Sequence, residues 1–65
     1  MIEAYQLYVD VNGVHYVLMK ELREGFFWLA LRVSYVPELK LFSVANLRRM
    51  QLVGKVNFDG NAKLG

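Results

Sequence analysis

The stretch Phe26 to Val36, FFWLALRVSYV, constrains the fold more than any other part of the chain. It is the longest apolar run and is apolar on nearly both faces of an extended strand. Phe27, Leu29, Leu31, Val33 and Tyr35 share one face, and Phe26, Trp28, Ala30, Arg32, Ser34 and Val36 share the other. A helix is the rival reading, but aromatic and β-branched content favours a strand. Pro37 ends it, because proline cannot donate to a sheet ladder. The wholly apolar face of Phe27, Leu29, Leu31, Val33 and Tyr35 is the expected core. The segments on either side are then read as strands that return to this one.

Upstream, Ala4 to Val11 alternates, with Tyr5, Leu7, Val9 and Val11 on one side. Asn12-Gly13 follows, a pair that tolerates the positive φ values of a two-residue type I′ turn. That turn predicts the pairs Val11 with Val14, Asp10 with His15, Val9 with Tyr16 and Leu7 with Leu18, which places the apolar residues of both strands on one face. The second strand ends near Lys20. The charged connection Glu21 to Gly25 follows, with Gly25 supplying a positive φ.

Downstream, Leu39 to Val44 reads as a strand. Ser43 is placed to cap a helix, while Met50, Leu52, Gly54, Val56 and Phe58 alternate with polar or smaller residues. The expectation is a single helical turn near Ala45–Arg48 and a final strand from about Arg49 to Phe58. The alternative is an α+β arrangement with a helix at about Val44–Val53. The sum is a mainly β domain: a small, strongly bent five-stranded antiparallel sheet or an SH3/Sm-like barrel, since curling a sheet removes exposed edges. Residues 1–58 form the expected domain, and Asp59 to Gly65, with two glycines, reads as a loose tail.

Sixty-five residues allow one core, and a chain this short buries only about 60% of the surface its unfolded form exposes. With no cysteine there are no disulfides and no thiolate metal sites, and a soluble cytoplasmic setting is the default reading. No apolar run reaches the 18 residues of a membrane-spanning candidate before charge or polarity interrupts it. Yet 55% of the residues are hydrophobic, more than so small a core can absorb, which points to a homo-oligomer or a protein partner. The net charge of +2 permits nucleic-acid contact without the dense basic surface that demands it.

Two segments resemble a known family. Gly25-Phe26-Phe27-Trp28-Leu29-Ala30-Leu31 is similar to the signature strand of WYL domains, with Phe27, Trp28 and Leu29 at the Trp-Tyr-Leu positions. Leu39-Lys40-Leu41-Phe42-Ser43-Val44-Ala45-Asn46-Leu47 is similar to the family's segment of a basic residue, a phenylalanine, then Leu-Asp-Arg-Ile. Phe42 and Leu47 match, Lys40 takes the basic position conservatively, and Ala45 and Asn46 replace the Asp-Arg pair. The likeness spans Gly25 to Leu47. It implies an SH3/Sm-like barrel in bacterial or phage regulation, with nucleic acid or a nucleotide as effector.

The chemistry of the remaining residues is sparse. His15 is the only histidine, and the predicted register sets it beside Asp10 as an ordinary cross-strand pair. Ser34 and Ser43 sit in no nucleophile turn, threonine is absent, and the glycines form no phosphate loop. No enzyme activity, metal or cofactor is expected. The first functional reading is a protein-interaction or self-assembling module, possessing an interaction face of Phe26, Trp28, Arg32 and Val36. The alternative is a nucleic-acid or nucleotide-binding regulator in which Trp28, Arg32, Lys40, Arg48 and Arg49 combine stacking with phosphate contacts.

Overall fold

Five strands and one helical turn make up the computed structural model, which describes residues 1–57. The strands are β1 (Gln6–Val9), β2 (His15–Arg23), β3 (Phe27–Arg32), β4 (Leu39–Ser43) and β5 (Gln51–Lys55), with α1 (Val44–Leu47) between the last two. They form one antiparallel sheet in the order β4-β3-β2-β1-β5. The mainly β architecture and the helical turn before the last strand are those expected, and the longer helix over residues 44–53 is not formed. The last strand is shorter than expected, running from Gln51 to Lys55 and leaving out Arg49, Met50, Val56 and Asn57, while Phe58 and the tail after it lie outside the described residues.

The sheet bends because its longest strand is broken twice. Opposite β3, β2 carries register shifts between Leu18 and Lys20 and between Glu21 and Arg23, each a β-bulge that kinks the strand and sharpens its twist. The first part of β2 pairs with β1, and its whole length serves β3. Strands two apart in a flat sheet stand roughly 10 Å from each other. Tyr16 of β2 and Phe42 of β4 nevertheless meet edge to face at 4.8 Å between ring centroids, on the concave side of the bent sheet.

The first turn departs from expectation, with large consequences. Gly13 takes a positive φ of 83°, but Asn12 does not, so the turn is not type I′. Gly13 N donates to the Asp10 carbonyl, and Asp10 N donates to the Val14 carbonyl. The loop is therefore three residues long, a turn with Asp first and a left-handed glycine last. The Asp10 carboxylate holds it by accepting from the amides of Asn12 and Val14. The observed pairs are Leu7 with Val17, Tyr8 with Tyr16 and Val9 with His15. A shift of one residue sends every side chain of one strand to the opposite face.

The core accordingly takes the face of β1 opposite to the one predicted, and the opposite face of β3 as well, while Val14, Tyr16 and Leu18 stay on the core side as expected. Tyr8, Tyr16, Leu18, Trp28, Ala30, Phe42 and Leu47 form the buried cluster, with Ile2, Ala4, Val14, Val44 and Met50 packed against it. In β3 it is the face of Trp28 and Ala30 that is buried, while Phe27 and Val33 are exposed and Tyr35 is wholly so. The strand also stops at Arg32, short of Pro37. Beyond it Val33 N donates to the His15 carbonyl, and the Ser34 hydroxyl donates to the Val36 carbonyl in a bend. β1 is shortened at its other end by Tyr5, whose φ of 69° is left-handed. Its amide donates a hydrogen bond to the Leu18 carbonyl, and its carbonyl accepts one from the Val56 amide.

One polar residue enters the core with its needs met. The Gln6 side chain donates to the Met1 carbonyl and accepts from the Glu3 amide and the Tyr8 hydroxyl. Burial pushes the Tyr8 phenol above its ordinary value. The neutral form is thus the folded one, and this contribution to stability holds below the unfolded-state value and is lost as pH rises through the folded one. Near the same end of β1, a hydrogen bond from Lys55 at 2.9 Å, reinforced by its charge, holds the exposed Glu3 carboxyl below its ordinary value.

The helical turn is built as the sequence predicts. Ser43 has an extended backbone, and its hydroxyl accepts from the Asn46 amide at 3.1 Å, satisfying one of the turn's free donors. Ser43→Ala is expected to cost about 1 kcal/mol, measured as a lower urea midpoint at unchanged slope.

Candidate interaction surface

The expected interaction residues are scattered by the reversal of faces. Trp28 is 6% exposed, in the core. Phe26 sits in the β2–β3 turn, 57% exposed, with the Arg23 guanidinium 5.0 Å over its ring. The turn is possible because Gly25 has a φ of 81° and its amide donates to the Glu21 carboxylate. Val36 is exposed in the bend after β3. Arg32 points to the core side with Trp28 and Ala30, reaches the Glu38 carboxylate at 4.0 Å, and keeps its Nε buried without a partner among the described residues. Phe26, Trp28, Arg32 and Val36 therefore do not form one open face.

The expected nucleic-acid residues are also divided. Lys40 lies 5.8 Å from the Tyr16 ring centroid and 5.5 Å from that of Phe42, an ammonium on aromatic faces. Arg48 and Arg49 are exposed just after α1, bonded through their amides to the carbonyls of Val44 and Asn46. Arg48 and Trp28 do share an open cleft of about 490 Å³ with Ile2, Glu21 and Val44. At 6% exposure, Trp28 offers a base little surface to stack upon.

Polar groups that could carry chemistry are engaged elsewhere. His15 pairs with Val9, and its Nδ1 contacts the Gly13 carbonyl at 3.1 Å, so the cross-strand pair with Asp10 is not formed. The Ser43 hydroxyl caps α1, and the Ser34 hydroxyl closes the bend. Among the described residues no group of three or more histidine, aspartate or glutamate side chains is placed to hold a metal.

The convex face of the sheet carries an unpartnered apolar row. Register places Leu7, Val17, Leu31 and Leu39 in a single row across β1, β2, β3 and β4. Leu29 and Leu41 form the next pair, and Phe27 follows them along β3. Val17 is 5% exposed yet lies outside the core cluster, so its burial comes from its own neighbours on this face. Exposure rises outward to 51% at Leu41 and 63% at Leu39 on the edge strand. Lys20 and Arg23 flank the face at the β2–β3 turn and His15 flanks its other end. None of its paired positions carries a carboxylate.

Sequence reasoning placed Leu29 and Leu31 in the core and overlooked the row. Part of the signal was present: once Asp10 is read as pairing with Val14 across the three-residue loop Val11 to Gly13, Leu7 falls opposite Val17. No protein-family model, no curated protein and no solved structure matches the chain. Among the described residues no helix is long and apolar enough to cross a membrane.

Proposed function

We propose that the chain is a non-enzymatic protein-interaction or self-assembling module whose docking surface is the convex face of its sheet. The observation that carries this reading is the row Leu7, Val17, Leu31 and Leu39, four aliphatic side chains on four strands outside the core cluster. With Leu29, Leu41 and Phe27 it amounts to on the order of 500 Å² of exposed apolar surface, near the top of what a monomer ordinarily presents. The surplus of hydrophobic residues in the composition has a location here. The absence of cysteine suits a cytoplasmic setting.

A photo-cross-linking residue at position 41 tests the reading. In an extract of the source cells it is expected to give a protein adduct that the same residue at position 52, exposed on β5 but paired with Tyr8 of the core face, does not give. An adduct that is absent, or equal from both positions, removes the convex face as the docking surface. The second reading is a nucleic-acid or nucleotide-binding regulator of SH3/Sm-like type, as the WYL-like segments imply. It is favoured by Arg48 lining the open cleft, where a phosphate contact needs no stacking on Trp28, and its mark is oligonucleotide binding that weakens steeply as salt rises.

A further inference from the structure

We infer that the occupant of the convex face is a second copy of this chain, packed face to face as a two-sheet sandwich. The inference rests on the docking-surface reading above and adds the partner. A two-fold interface brings the same patch of both subunits together, so each position must tolerate its own chemistry. A row of leucine and valine without a carboxylate or a buried polar group meets that condition. Interfaces between different proteins ordinarily carry about ten hydrogen bonds for register and selectivity, and the paired positions of this row offer no side chain to make them.

Size supports the same occupant. Two such faces together remove roughly 1,000 Å² from solvent, the lower bound for a specific association. A domain of this length is marginal alone, and oligomerisation is one of the ordinary remedies. Sheets packed face to face keep their strands within about 30° of alignment. Two orientations meet this, and charge selects between them. With the strands of the two copies antiparallel, the Lys20 and Arg23 end of one sheet lies over the Val9 and His15 end of the other. The parallel arrangement would superimpose the two basic ends.

Light scattering coupled to size exclusion, on the full 65-residue chain from micromolar to near-millimolar concentration, decides the matter. The expected mass is twice the 7.6 kDa of one chain. Leu41→Lys, and separately Leu39→Lys, should halve that mass while keeping the β-type circular dichroism spectrum, since both side chains are more than half exposed. Leu52→Lys, 49% exposed but paired with Tyr8 on β5, should leave the mass doubled. A wild-type chain that stays at 7.6 kDa throughout overturns the inference. So does a doubled mass unchanged by both β4 substitutions, which would place the contact on another surface. A single-chain mass combined with a cross-link from position 41 to a different protein overturns the second copy alone and leaves the docking face standing.

Discussion

Trp28→Ala is expected to leave little folded protein at 25 °C. Trp28 stands in β3 between Glu21 of β2 and Phe42 of β4, 6% exposed, within the core cluster. Truncating a buried tryptophan costs about 3–5 kcal/mol, and a 65-residue domain has only about 3–10 kcal/mol to lose. The loss combines the burial of the largest side chain in the core with a cavity that the bent sheet cannot close without moving β4. Phe26→Ala, two positions away, is the informative comparison. Its ring is 57% exposed, and the contact with Arg23 is worth about 0.5–1 kcal/mol. Urea unfolding followed by circular dichroism separates the two variants. A Trp28→Ala chain as stable as Phe26→Ala would mean that tryptophan faces outward, and the assignment of core and convex faces would fall with it.

Leu47→Ala carries the second large effect, an expected loss of about 3 kcal/mol. Leu47 is fully buried, on a helix of only four residues whose Ala45 and Asn46 are exposed. An isolated turn this short has no stability of its own, so α1 persists because Leu47 anchors it against the core. In a domain of this size the loss lowers the melting temperature by more than about 12 °C. Ala45→Gly, at an exposed position of the same turn, is expected to cost about 1 kcal/mol or less. Equal losses from the two changes would show that helix propensity rather than the buried leucine holds the turn.

The elements of this fold could be read from the sequence, but the phase of their faces could not. Gly25 marked the β2–β3 turn, Ser43 marked the helix start, and the alternation after Met50 marked β5, each through a local backbone requirement. The core face of β3 had no such marker. Both of its faces are apolar, so the alternation gives a period of two without saying which set points inward. The more uniform set, Phe27, Leu29, Leu31 and Val33, turned out to be the convex one. The concave face instead tolerates Gln6, Arg32 and Lys40, because Gln6 finds backbone and Tyr8 partners, Arg32 reaches Glu38, and Lys40 lies over aromatic rings.

The hairpin shared this ambiguity, and its resolution hung on one residue of loop length. Asn12-Gly13 suggests a two-residue turn when taken alone. The Asp10 carboxylate decides for three residues by bonding the amides of Asn12 and Val14. The expected interaction residues were misplaced through the two apolar faces of β3. Trp28 and Arg32 were assigned to a second face because the first face was taken as the core.

The pairing of β1 with β5 sets the order in which the chain can acquire its structure. Gln6 meets Lys55, so this ladder joins segments almost the full length of the described chain apart. The ladders β1–β2, β2–β3 and β3–β4 join neighbours along the chain, and they lose little loop entropy on closing. A chain still emerging during synthesis can therefore form the meander of four strands early, with the hydrogen-bonding edge of β1 open until β5 arrives. Until then β1 is a template for any extended segment within reach, including the β5 of another nascent chain. The interval before β5 docks is thus the period in which strand exchange between chains competes with correct folding.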